Sequence, residues 1–234
     1  MRLPLLARRI HKWLALFVGF QVVIWTLSGL YMTAIHIDII HGDHFIRRSE
    51  PRPVGASLLA DPVAAARSIP EAEAVKLHWL EDRPTYIVTA GSRKVLLDAR
   101  SGSPLPPPDR DQIQRLANHW FTGDEQLASI TLIHDLPFEV RGARGPLWRA
   151  EFDGWNKPTL YFSPGTGELV TRRHELWRLF DFVWMLHIMD YEERENVNNW
   201  VLRTFTWAAV AMALSGAWLL YYHLPKRRRR KARS

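Results

Sequence analysis

The sequence predicts an α+β membrane protein, in which two antiparallel transmembrane helices flank an outer domain of two helix-plus-antiparallel-sheet repeats. Three observations carry that expectation. Two uncharged apolar stretches, Trp13 to Ile35 and Thr204 to Leu224, stand near the ends of the 234-residue chain. Each exceeds the ~20 residues needed to cross a hydrocarbon core of about 30 Å. Basic residues crowd the outer side of both stretches, and the chain between them repeats a strand-and-turn pattern at a fixed offset.

Aromatic residues mark the ends of the stretches, with Trp13 and Tyr31 on the first and Trp200, Trp207, Trp218, Tyr221 and Tyr222 on the second. Amphipathic rings of this kind settle at the membrane–water interface. The first stretch is longer than the apolar core of a secretory signal and no small-x-small cleavage site follows it, so it reads as an uncleaved anchor. Arg2, Arg8, Arg9 and Lys12 precede it, and Lys226, Arg227 to Arg230, Lys231 and Arg233 follow the second. Those seven C-terminal charges equal the formal net charge of +7, and the part from Trp13 to Pro225 holds 20 basic against 24 acidic residues. Short basic flanks stay in the cytoplasm, which places both termini inside and the middle of the chain outside. A basic run beside a span signals topology and contact with anionic lipid, so no nucleic-acid partner is expected.

No cysteine is present, which excludes disulfides, iron–sulfur clusters, thiolate-ligated haem and covalent haem attachment from within this chain. There is also no H-E-x-x-H, G-x-S-x-G, P-loop or G-x-G-x-x-G pattern. Hydrolase chemistry therefore finds no support, no flavin or nicotinamide signature is present, and the catalytic residues are unknown.

Roughly 160 residues lie between the spans, enough for one ordinary domain. Asp61-Pro62 predicts an N-cap with proline at the first helical position, opening a short helix. Strands are expected over Ala74 to Leu80, Thr85 to Ala90 and Lys94 to Asp98, with turns at Asp82-Arg83-Pro84 and Gly91-Ser92. Asp109 caps a second helix (Gln112 to Phe121), followed by strands around Ser129 to His134, Leu147 to Phe152 and Thr159 to Phe162. Val95-Leu96-Leu97-Asp98-Ala99-Arg100-Ser101-Gly102 matches Leu160-Tyr161-Phe162-Ser163-Pro164-Gly165-Thr166-Gly167 at an offset of 65 residues. An internal duplication is the economical reading. The segment Glu175 to Met189 has apolar residues at helical spacing.

These repeats resemble PepSY domains. Arg8-Arg9-Ile10-His11-Lys12-Trp13-Leu14-Ala15-Leu16 resembles the first helix of the PepSY-associated transmembrane family, and Met185-Leu186-His187-Ile188-Met189-Asp190-Tyr191 resembles its later Leu-His element. The resemblance covers nearly the whole chain. It implies a bacterial inner-membrane protein with a periplasmic central domain, similar to iron-regulated or ferri-siderophore reductases that hold b-type haem. Better-known members carry four spans and this chain has two, so a homodimer or a partner membrane subunit is expected beside the lipid bilayer. The resulting organisation is a cytoplasmic N-terminus (1–12), a first span (13–36), a periplasmic linker (37–56), repeats at 57–108 and 109–171, an amphipathic helix (172–190), a loop (191–202), a second span (203–224) and a basic tail (225–234).

The histidines carry the functional expectation. His11 and His36 bracket the first stretch, His223 stands near the end of the second, and His187 lies upstream of it. Imidazole is a ready ligand for iron and costly to leave near lipid. Leu27-Ser28-Gly29 precedes His36, and Leu214-Ser215-Gly216 precedes His223, by the same seven residues from the glycine. That is about two helical turns, so glycine and histidine share a face. Antiparallel spans are expected to bring His11 to His223 at the cytoplasmic side and His187 towards His36 at the other, holding one or two haems b. The alternative for each is an imidazole resting in the headgroup region, with Ser-Gly as a helix-packing point.

His36, Asp38, His41, Asp43 and His44 form a denser cluster, for which a divalent metal at His41, Asp43 and His44 stands against a solvated loop. Arg173, Arg178 and Arg194 are candidate partners for haem propionates. His78, His119, His134 and His174 read as surface or packing residues. The functional expectation is electron transfer, to ferric iron, a ferri-siderophore or another periplasmic redox partner. The alternative is a non-enzymatic membrane-anchored module that binds or regulates a periplasmic protein or protease through its strand edges.

Overall fold

Two antiparallel sheets and three long helices account for most of the chain. The computed structural model describes residues 3–48 and 59–231, with side chains over 5–6, 8–48 and 59–221. The end of the expected linker, the first two residues of the first repeat, and the side chains of His223 and the basic tail lie outside that description. The chain forms two compact units, one of residues 1–36 and 179–234 and one of residues 37–178.

In the second unit, a short helix α2 (Ile37–His41) leads to α3 (Pro62–Ala66) and the strands β1 (Ala74–Leu80), β2 (Arg83–Ala90) and β3 (Arg93–Asp98), which pair in that order. Then α4 (Arg110–Trp120) precedes β4 (Leu127–Ile133), β5 (Leu147–Phe152), β6 (Thr159–Phe162) and β7 (Leu169–Arg173), again consecutive and antiparallel. The caps are those the sequence announces. Asp61 accepts from the Val63 amide at 2.8 Å with Pro62 at the first helical position. Asp109 and Gln112 form a reciprocal capping box at 2.8 and 3.1 Å.

Successive side chains of a strand point to opposite faces, and here both faces are covered. Tyr86, Val88 and Leu97 pack with Ala65 and Ala66 of α3, whereas Leu80, Ile87 and Leu96 join Ile113, Leu116 and Ala117 of α4. That second core continues into the other sheet through Ile130, Ala150, Phe152, Leu160 and Phe162. Burial on both faces explains why β2 and β6 lack clean polar–apolar alternation, whereas the edge strand β1 keeps it.

The two turns 65 residues apart have the same hydrogen bonds. Gly102 N donates to Asp98 O and Gly167 N to Ser163 O, both at 2.8 Å. Asp98 N donates to Ser103 O at 2.8 Å, and Ser163 N to Glu168 O at 2.9 Å. Both glycines are left-handed, at φ 73° and 72°. The repeats differ in length: the second has a fourth strand, β7, over residues expected to close the repeat and open the amphipathic helix, so that helix, α5 (Glu175–Ile188), starts later.

The first unit contains α1 (Leu3–Ala34), most of α5, and α6 (Trp200–Lys231). Two helices are long and apolar enough to cross a membrane, over Arg8–Ala34 and Trp200–Tyr221. Phe17 stacks on Phe205 at 4.8 Å and His11 reaches Ser215, so α1 and α6 run antiparallel. The polarity of this unit is inverted relative to a water-soluble core. Gln21 and Ser28 are each 5% exposed while Phe20 is 72% and Leu214 67% exposed. Apolar side chains facing out around a buried polar seam suit a lipid surround.

Candidate functional site

A single seam of α1 organises the site. His11, Leu14, Val18, Gln21, Trp25 and Ser28 recur at alternating intervals of three and four residues, and all are at least half-buried. That is the apolar-seam spacing of packed helices, carried here partly by polar side chains. The facing positions of α6 (Phe205, Ala208, Met212, Ser215 and Leu219) follow the same alternation.

Two histidines meet two serines across this seam. His11 Nδ1 lies 2.8 Å from Ser215 Oγ of α6, and His187 Nδ1 of α5 lies 2.8 Å from Ser28 Oγ of α1. A glycine stands beside each serine, and at Gly216 it makes room for the ring, whereas at Gly29 a Cβ would be an ordinary contact. A Cβ on Gly216 would come within 3.2 Å of His11 Cε1, and one on Gly29 within 3.9 Å of His187 Cε1. The second ring nitrogen, Nε2, has no hydrogen-bond partner among the described residues in either histidine. His11 and Ser28 stand 17 residues apart on α1, about 25 Å of helix. Since His187 sits at Ser28, the two imidazoles occupy separate levels and one iron cannot take both.

The His187 level is built from the C-terminus of α5. The last carbonyls of a helix have no partner within it, and in an apolar surround each must find one. Trp25 Nε1 donates to His187 O at 2.7 Å, Gln21 Nε2 to Leu186 O at 3.5 Å, and Asn199 Nδ2 to Ile188 O at 2.8 Å. Asn199 also caps α6, its Oδ1 accepting from Leu202 N at 2.8 Å. Between the helices, the Asp190 carboxylate accepts from the amides of Glu192, Glu193, Glu195 and Asn196 at 2.9–3.3 Å. Burial pushes that carboxyl upward, and the four amides outweigh it, holding Asp190 below the usual carboxylate range.

The other expected site residues are placed differently. α1 ends at Ala34, so His36 lies outside the helix and is exposed, eight residues beyond the serine that His187 meets. His223 lies on the α6 backbone eight residues beyond Ser215, about 12 Å along the axis. The sequence expectation set histidine against histidine; the structure sets His11 and His187 each against a serine about two turns short of that partner. The sequence signal at this register is the Leu-Ser-Gly echo, for which a helix-packing point was the alternative reading.

In the second unit, the Asp43 carboxylate is engaged by Arg172, whose Nε donates to the His41 carbonyl at 2.9 Å. The His44 ring packs against Phe45, tilted by 42° with centroids 3.9 Å apart. Among the described residues no three histidine or carboxylate side chains gather as a metal site, so His41, Asp43 and His44 are not assembled as one. His174 is a packed core residue, 1% exposed, with Nε2 3.0 Å from the Ile40 carbonyl. Burial is the main cause holding its imidazole below the ordinary value.

The three arginines are committed within the protein. Arg178 Nε is 2.6 Å from Glu139, Arg194 Nη1 is 2.5 Å from Asp181, and the Arg173 guanidinium lies 3.9 Å over the Trp177 ring. Comparison with protein-family models, with curated proteins and with solved structures returns no match.

Proposed function

We propose that this chain is a bacterial inner-membrane haem protein of the PepSY-associated transmembrane type, which passes electrons towards an acceptor in the periplasm. The observation that carries this reading is the pair of imidazoles at two levels of one polar seam. Each is held at Nδ1 by a serine and backed by a glycine, with Nε2 uncommitted among the described residues. This donor set fits haem: imidazole is an axial ligand of b-type iron, and no thiolate exists in the chain to compete. When bound, the haem supplies one-electron chemistry that no side chain here provides.

The chain's own part is to hold each ring at a fixed level and to exclude water with the surrounding apolar helix faces. Burial and hydrogen bonding around the ligand then set the potential. His36 and His223 are the residues to examine as opposing ligands, together with a second copy of the chain. The basic flanks support cytoplasmic termini and a periplasmic central domain. The matched turns at Gly102 and Gly167 support a duplicated PepSY-like unit.

The test is absorption of the full chain, expressed with ample haem and purified in detergent. A Soret band is expected, reduced by His11→Ala or His187→Ala and abolished by the pair. A colourless wild-type protein would overturn the reading. Conversion of a low-spin to a high-spin spectrum in His36→Ala or His223→Ala would identify the opposing ligand. The two sheets have edge strands, β1 and β3 in one and β4 and β7 in the other, which favours a second reading as a peptide-binding module acting by strand addition. Stoichiometric capture of one periplasmic protein by the haem-free chain is the result that would support it.

A further inference from the structure

Each serine in the seam has a single hydroxyl proton, and its own helix takes it. Ser28 Oγ lies 2.7 Å from the Ile24 carbonyl and 3.1 Å from that of Trp25, and Ser215 Oγ lies 2.8 Å from the Met212 carbonyl. Two oxygens approach that closely only with a proton between them, and a carbonyl has none to give. The hydroxyl therefore donates back into the helix, a common habit of serine in helices. What it presents to the imidazole, at 2.8 Å in both cases, is a lone pair. The proton in that second bond must come from the ring, so Nδ1 carries it and the lone pair of the neutral imidazole is at Nε2.

We propose that Ser28 and Ser215 are positioning residues that lock His187 and His11 as Nδ1–H tautomers and leave Nε2 as the ligand atom. The same device occurs twice, on different helices, and at Ser215 the adjacent Gly216 also admits the ring edge, since a Cβ there would fall 3.2 Å from His11 Cε1. In water neutral histidine prefers the opposite tautomer, with the proton on Nε2. A serine that only glued helices together would need no particular ring nitrogen. What Nε2 binds rests on the haem reading; the tautomer lock does not. With a metal bound at Nε2, a hydrogen bond from Nδ1 makes the ring a stronger donor, which favours the oxidised metal.

The experiment uses the full chain in detergent at pH 8, labelled with 15N at histidine, in haem-free and haem-loaded forms. In the haem-free wild type both rings should show the Nδ1–H pattern. Ser28→Ala should release His187 alone and Ser215→Ala His11 alone, and the threonine variants, which keep the hydroxyl, should restore the wild-type pattern. In the haem-loaded form each alanine variant should lose haem 10–100-fold faster and raise the midpoint potential of its own site. Helicity by circular dichroism guards against unfolding, and threonine rescue separates the hydroxyl from helix packing. Wild-type rings protonated at Nε2, or alanine variants with unchanged ring spectra, would overturn the proposal. A lock present in a chain that takes up no haem sinks the haem reading alone, and haem bound with indifferent serines sinks the lock alone.

Discussion

Gly102 and Gly167 close the same turn, yet replacing them with alanine should cost very different amounts. Both sit in the left-handed region, at φ 73° and 72°, where an L side chain is strained by about 1 kcal/mol or more. At Gly102 that is the whole penalty, because a Cβ would meet Ala65 Cβ at 3.5 Å, an ordinary contact. At Gly167 the Cβ would fall 2.9 Å from Leu80 Cδ1, 3.0 Å from Leu116 Cδ1 and 3.3 Å from Pro108 Cγ. Leucine tips usually yield, but Leu80 is 7% and Leu116 1% exposed, and both belong to the core shared by the two sheets. Overpacking there adds about 1–3 kcal/mol. Gly102→Ala should therefore cost about 1 kcal/mol and Gly167→Ala about 2–4 kcal/mol. Denaturant midpoints of the full chain in detergent, followed by tryptophan fluorescence, would measure the difference. Equal losses would refute the reasoning, since they would mean that strain alone decides.

Two carboxylates offer further tests. Glu139 accepts from Arg178 Nε at 2.6 Å and Tyr161 Oη at 2.5 Å. Burial raises its carboxyl, and the bonds from Arg178 and Tyr161 with the nearby guanidinium charges outweigh that and hold it below the usual range. A carboxyl depressed in the folded state contributes stability above its unfolded value near 4.3, and that contribution is lost as pH falls through the lower folded value. Glu139→Gln should therefore cost about 2–3 kcal/mol at pH 7, discounted from a fully buried pair because Arg178 is partly exposed, and should flatten the acid limb of stability below about pH 5. An acid limb as steep as wild type would count against this account. Asp190→Ala frees four amides that the carboxylate now holds and should cost about 2–3 kcal/mol. Its signature is faster hydrogen exchange at Glu192 to Asn196; unchanged protection there would show that the loop holds itself.

The sequence predicts well wherever one local rule decides. The Asp61 and Asp109 caps, the glycine turns and the strand runs stand within a residue or two of their expected places. Pro84 is an instructive exception. The Asp82-Arg83-Pro84 signal points to a turn, but Glu81 and Asp82 make it, with Glu81 at φ 57°, and Pro84 lies in β2 opposite Trp79. Proline fits there because β2 needs no amide at that register; its carbonyl accepts from Ala99 at 3.1 Å. β7 was illegible because Leu-Val-Thr-Arg-Arg carries too little apolar pattern to stand alone. It becomes a strand through pairing with β6, a tertiary cause that overrides weak propensity.

The site shows the same limit in a different solvent. Histidine spacing tells which residues share a helix face, but it cannot give the axial register between helices, and one turn of error moves a ligand by about 5.4 Å. In α1 and α6 that register follows contacts such as Phe17 on Phe205, which no single-helix pattern reveals. Yet a constraint was available. A ring nitrogen buried among apolar helices needs a hydrogen-bonding partner, and Ser28 and Ser215 are the polar residues of the two Leu-Ser-Gly echoes. That requirement points each ring to a polar side chain, and the packing of the helices decides which one: Ser215 for His11 and Ser28 for His187. His11 and His187 are thus placed by what satisfies Nδ1.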